Sequence, residues 1–335
     1  MDRQRERALG AFYGLAVGDA LGMPTEQLPR NRVAELFGDL DGFRAPVPVD
    51  GQSRDLPPGH VTDDTDQAVI VARVLVAGRG RVDHDRLTHE LLDWQRQMQD
   101  TGSADLLGPS TLRALQAVAS GAPAGTTGRW GDTNGAAMRV TPLGIAMRPQ
   151  PLEDLCAAVA DLDRLTHDTT IANAGAAAVA AAVSAGVEGW GWAEALPLAI
   201  RAAALAGRRG WYVAGADVAR RITWAAGLVA DAPDDEVVLD LIDGLVGTGL
   251  ATQESVPAAF AVASRHPDDP WRAGLLAARL GGDSDTIAAM AMAMLGACNG
   301  LRTLPSDAVA TLRAVNDLDL EPLVDELLAL RSEPR

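Results

Sequence analysis

With 335 residues, 47% of them apolar and 22% charged, the chain has the composition of a folded protein with a sizeable core, which excludes intrinsic disorder. Its net charge of −16 comes without any basic run, and this excludes nucleic acid or an anionic membrane surface as the main partner. All 29 basic residues are arginine, so Schiff-base lysine chemistry and a Walker A phosphate loop are excluded too.

In chain order, apolar residues recur at helical spacing almost throughout. The spacing predicts helices over roughly 2–22, 64–78, 83–99, 105–120, 151–165, 168–185, 190–206, 212–229, 235–246, 254–264, 270–280, 284–302, 306–317 and 320–331. Breakers such as GMP (22–24), DLPPG (55–59) and RHPDDP (265–270) fall between them, and no alternating strand is evident. Two longer irregular stretches, 38–62 and 120–135, are the places where loops of a helical protein carry function. No linker or repeat divides the chain, so residues 1–335 read as one all-α domain. The start, MDRQRERALG, leads into no secretory apolar core. IANAGAAAVAAAVSAG (171–186) is too weakly apolar for a membrane span and reads as a buried helix. Cys156 and Cys298 cannot build a disulfide framework, which fits a reducing cytoplasm. The five histidines include no HExxH, and no serine sits in GxSxG.

Two acidic clusters stand out. TDDTD (62–66) and GGDSDT (281–286) each deliver aspartates and a threonine to the start of an apolar helix. A cap uses one side-chain oxygen, and the helix dipole favours acids there, so each cluster alone could be no more than an over-acidic cap. The surplus carboxylates repel one another unless a cation neutralises them, and oxygen donors are what hard divalent ions accept. If the two helix starts meet, Thr62, Asp63, Asp64, Asp283, Asp285 and Thr286 form an oxygen-only cage with room for two Mg²⁺, or Mn²⁺, ions. Asp66, on about the face of Asp63, would lie behind the cage or in solvent.

GLAVGDALGMPTE (14–26), TDDTD (62–66), NGAAMRVTPLG (134–144), LTHD (165–168) and GGDSDTIAAM (281–290), in this order, resemble the ADP-ribosylglycohydrolase family over essentially the whole chain. The resemblance implies a multi-helix orthogonal bundle with a binuclear magnesium site in a cleft, cleaving the bond between ribose C1 and an acceptor. It makes the same six residues metal ligands. It also makes Glu26 a gate or catalytic base, with Asp64 and Asp285 as the other catalytic carboxylates. Asp19 reads as a structural carboxylate that bonds nearby amides. Asn134, Gly135 and Met138 are the expected substrate-binding surface, where small residues let amides approach a ribose or diphosphate. Arg139 would meet a phosphate or form an internal salt bridge. His167 would line the ribose or diphosphate side, and Trp130 would cover an adenine, whereas Trp94 and Trp224 read as core. The acceptor-side residue is Asp100 or Asp105. The implied partners are ADP-ribosylated proteins or small ADP-ribosyl or ribosyl compounds. A nucleoside or nucleotide N-ribosyl hydrolase and a non-catalytic ADP-ribose-binding protein are the other readings.

Overall fold

The computed structural model describes residues 3–48, 56–100 and 108–332. Among them there is no β-strand, only two isolated bridges, Thr133 with Ala251 and Thr169 with Trp211. With aromatic residues at 4% of the chain, the interior is filled mainly by alanine, valine and leucine. Each of those side chains removes little apolar area from water, at about 25 cal/mol per Å². Backbones must therefore approach closely to leave no voids.

That close approach is clearest where the helix Arg3–Gly22 lies along the helix Ser284–Asn299. Gly10, Gly14, Gly18 and Gly22, spaced four apart, form a stripe down one face of the first helix. A Cβ on Gly14 would stand 2.3 Å from the carbonyl oxygen of Met292, and one on Gly18 2.4 Å from that of Ala288. One on Gly22 would stand 2.4 Å from the Cα of Asp285. The seam thus runs straight to the acidic start of the second helix. The alanine-rich helix Thr170–Glu188 passes behind both and is buried along nearly its whole length. Its N-cap Thr169 accepts from the amide of Ala172, and Gly189, at φ 113°, ends it in the left-handed region. The helix is long and apolar enough to cross a membrane by length and composition, but its surroundings here are other helices.

The helix Asp63–Ala77 rests on the short helix Thr141–Ala146 and on the helix Glu321–Ser332. Several expected boundaries move. The segment expected at 212–229 begins only at Val218, where Asp217 caps it, and the one expected to start at 105 begins at Pro109. The segment expected over 235–246 is α-helical to Leu241 and then continues as one π-helical turn, Ile242–Val246. Short helices at Arg30–Phe37, Gly135–Met138 and Thr141–Ala146 were not expected. Trp94 is buried as expected, but Trp224 is not core. It is 41% exposed, with the Arg221 guanidinium over its ring.

Candidate active site

The starts of the helices Asp63–Ala77 and Ser284–Asn299 meet in space. The hydroxyl of Thr286 donates to Oδ2 of Asp64 at 3.2 Å, and that of Thr62 approaches the same oxygen at 3.4 Å. Neither Thr62 nor Asp283 uses its side chain as a helix cap. The first element is held in place by Asp19 of the glycine-striped helix. Its buried carboxylate accepts from the amide and hydroxyl of Thr62 and from the amide and hydroxyl of Thr65. Asp19 is thus the structural carboxylate that its sequence context suggested. Asp66 turns outward and accepts from the indole of Trp94 at 2.9 Å.

The second element is held by a turn that needs two glycines. Gly281 and Gly282 stand at φ 67° and 62°, the left-handed region that side chains disfavour. Gly282 donates its amide to Leu28 and accepts from the amide of Gln27, which couples this turn to the segment just after Glu26. The amide of Asp283 donates to the carbonyl of Thr248. The Asp283 carboxylate accepts from the side-chain amide of Asn134. Asn134 is set in turn by Leu250, whose carbonyl receives its backbone amide.

Above this junction opens a cavity of about 130 Å³. Glu26, Asp63, Asp283 and Thr286 give its acidic wall, and Thr133, Asn134, Gly135 and Met138 line it beside them. Asp64 and Asp285, expected at the reacting surface, lie behind the wall rather than on it. Burial raises the pKa of Asp63, Asp64 and Asp285 well above the usual carboxylate range, and neighbouring carboxylates add to the rise. Asp283 is pushed up to about 7 by burial, partly offset by Asn134. Asp64 Oδ1 is buried and has no hydrogen-bond partner. A guanidinium that acts on Asp63 through space is that of Arg139, whose hydrogen bonds go to Gln67 and Thr166 instead.

Three expected substrate contacts fall elsewhere. Arg139 is wholly buried, so it meets neither solvent nor a phosphate. Among the described residues it forms no direct salt bridge either, although Asp163 acts on it electrostatically. His167 is also fully buried. It packs against Gly135, where a Cβ would come within 2.8 Å of its ring, and it sits beneath the cavity rather than in its wall. Trp130 lies outside the lining, 59% exposed, with the Arg129 guanidinium 4.6 Å from its ring and 4.7 Å from that of Trp211. Asp100 ends the helix His84–Asp100 in solvent, and Asp105 lies outside the described residues. The lining includes residues the motifs did not mark: Gly108, Pro109 and Thr111 at the next helix start, Gln27, Thr133 and Leu250. Gly282 was the available signal for the loop that carries Leu250, because a Cβ there would stand 2.3 Å from the Thr248 hydroxyl oxygen.

A sequence model described as ADP-ribosylglycohydrolase matches residues 1–335. An uncharacterized Escherichia coli protein, YegU, is 36% identical over 98% of each chain. ADP-ribosyl-dinitrogen reductase glycohydrolase of Rhodospirillum rubrum is 34% identical over 50% of this chain and 54% of that one. A solved structure of an ADP-ribosylglycohydrolase-related protein complex aligns with a TM-score of 0.67 at 26% identity, covering 98% of this chain and 99% of that chain.

Proposed function

Because this chain belongs to the ADP-ribosylglycohydrolase family, we propose that it is a magnesium-dependent hydrolase. Its substrates are ADP-ribosylated protein side chains or small ADP-ribosyl compounds, and it cleaves the bond between ribose C1 and the acceptor. The observation that carries this is the contact between Thr286 and Asp64, which brings two acidic helix starts 222 residues apart in sequence into one junction beside Glu26.

The residues fit a pair of hard cations. Asp63, Asp64, Asp283 and Asp285, with the hydroxyls of Thr62 and Thr286, offer only oxygen donors. A buried, unpartnered Asp64 oxygen and four crowded carboxylates with raised pKa are a donor set that positive charge would satisfy. Among the described residues the side chains are not closed into a ligating group of three or more. Asp63 instead accepts from Gln67 at 3.0 Å and Asp283 from Asn134, donors that stand where a cation would otherwise offset the carboxylate charge. When bound, Mg²⁺ neutralises the carboxylates and polarises oxygen groups presented to it.

The chain's own residues supply the rest. Glycosidic cleavage develops positive charge at C1 and the ring oxygen. Asp64 and Asp285, buried behind the wall, would act on C1 through the cations they hold rather than by direct contact. Glu26 is the carboxylate on the wall that takes the proton of the attacking water as its oxygen bonds to C1, and the acceptor atom, which leaves with the electron pair of the C1–acceptor bond, receives that proton in turn. Asn134 fixes Asp283, and Gly135 and Met138 floor the ribose side.

The buried position of Arg139 favours one second reading. Among the described residues, the cavity lining then carries no arginine to pair with a diphosphate, which suits a nucleoside N-ribosyl hydrolase that has only a base and a ribose to recognise. The test is turnover with Mg²⁺ on ADP-ribosyl-arginine, ADP-ribosyl-serine, O-acetyl-ADP-ribose and plain nucleosides, with free ADP-ribose as competitor. Asp63→Asn and Asp285→Asn are expected to abolish turnover with the helical spectrum intact, and Glu26→Gln to slow it with metal still bound. Cleavage of nucleosides alone, uninhibited by ADP-ribose, selects the second reading.

A further inference from the structure

Asp63 and Thr133, both in the cavity lining, are joined beneath its floor by one buried hydrogen-bonded path. Its centre is Arg139. A guanidinium has five N–H donors and no acceptor, so the polarity of both arms is set from here outward. On one arm Arg139 donates to Oε1 of Gln67 at 2.7 Å, which leaves the Gln67 amide nitrogen to donate to Asp63 at 3.0 Å. On the other arm Arg139 donates to the hydroxyl oxygen of Thr166. That hydroxyl still has its own proton to place, and His167 Nδ1 lies 2.8 Å away. An Nδ1 that accepts leaves the proton of a neutral imidazole on Nε2, which faces Thr133 Oγ1 at 3.1 Å. The ring is held neutral by burial and then by the Arg139 and Arg113 charges, which keep its pKa well below the usual imidazole range. With the Thr166 proton placed on Nδ1 in this way, Thr133 accepts from His167.

We propose that Thr133 is a specificity-determining residue whose hydroxyl proton is committed to the cavity, where it reads an acceptor-only oxygen of the ligand such as a phosphoryl oxygen. Arg139, Thr166 and His167 are positioning residues. A free threonine hydroxyl rotates to give or to accept, whereas one that already accepts from His167 has its proton left to give. A ligand that presents a donor at this point competes with His167 for the same oxygen and leaves the hydroxyl proton without an acceptor. The choice of ligand rests on the functional reading above; the polarity of the path does not.

Two measurements separate them. Nitrogen-15 NMR of the imidazole, assigned with His167→Gln, needs no ligand. A single tautomer protonated at Nε2 across neutral pH is expected, and a ring protonated at Nδ1 or at both nitrogens overturns the proposal. Titration calorimetry with ADP-ribose then compares wild type, Thr133→Val, Thr133→Ser, His167→Phe and the double variant Thr133→Val with His167→Phe. Thr133→Val and His167→Phe should each weaken binding about five- to tenfold, the worth of one hydrogen bond. Thr133→Ser should bind as wild type, and the double variant no more weakly than Thr133→Val. Wild-type affinity in Thr133→Val, or losses that multiply in the double variant, overturns it. Thr133→Val and Thr133→Ser carry the test alone if His167→Phe does not fold. If wild type binds no ADP-ribose, the functional reading falls and with it the choice of ligand, while the imidazole spectrum still decides the polarity of the path.

Discussion

Asp19 shows how much one side chain can organise. Its carboxylate is fully buried and collects four donors from Thr62 and Thr65, which turns the TDDTD segment so that Asp63 and Asp64 face the opposite helix start. Asp19→Asn keeps the shape but replaces one acceptor oxygen with an NH₂ group among donors. Leaving a buried donor unpaired costs about 1–3 kcal/mol. The expected result is a lower urea midpoint with an unchanged m-value, together with reduced turnover. An unchanged midpoint would mean that Thr62 and Thr65 are held by the helix alone. At this scale the sequence is least informative. His167 and Arg139 look like ligand-facing groups in LTHD and NGAAMR, yet both are buried under the cavity. Whether an arginine points inward depends on partners such as Gln67 and Thr166, which no local pattern reveals.

Among elements, the glycine stripe decides the geometry. A Cβ on Gly18 would meet the Ala288 carbonyl, which is backbone and cannot rotate away. Gly18→Ala should therefore destabilise by at least about 1–3 kcal/mol, in the range for overpacking. Gly227, exposed in the helix Val218–Ala230 with open space at its Cβ position, is the control. Gly227→Ala should stabilise by about 0.5–1 kcal/mol through helix propensity. Chemical denaturation of both variants checks the pair, and equal effects would remove the seam's special role. The long helices were readable because their apolar period extends over several turns. The helices Gly135–Met138 and Thr141–Ala146 were not, since four to six residues give a 3.6 period too little length to register. The two acidic helix starts were legible as a pair from charge alone. Their holders, Thr248 and Leu250, were not, because each acts through its backbone carbonyl.

At the scale of the molecule, the site gathers into one buried place several of the carboxylates that make the chain −16. Folding lifts Asp19 and Asp283 from 3.8 to about 7, and Asp63, Asp64 and Asp285 well above 3.8. Between those values the folded state holds protons that the unfolded chain has released. Stability from these groups is thus greatest below about pH 4 and is lost as pH rises toward neutrality. The chelator-treated protein should melt at a lower temperature at pH 7.5 than at pH 5.5. Mg²⁺ should raise the melting temperature by mass action, and more so at the higher pH, because the cation binds the charged form. A melting temperature indifferent to Mg²⁺ at both pH values would mean that the acidic clusters serve only the helix ends.

The seam between the first helix and the helix Ser284–Asn299 also orders events in time. Ser284 and Gly22, hydrogen-bonded across it, are 262 residues apart. At a synthesis rate of roughly 5–20 residues per second, the glycine face of Arg3–Gly22 waits about 13–52 s on the ribosome for the partner it was shaped to fit. During that interval a helix with fifteen residues destined for burial has no native neighbour along its stripe. Asp19 is on that waiting helix, while Asp283 and Asp285 are on the late one, so the acidic junction cannot assemble while the nascent chain still lacks its last fifth. Limited proteolysis of ribosome-bound chains should find the Arg3–Gly22 segment open to cleavage until residues beyond Asn299 have emerged, and protected afterwards.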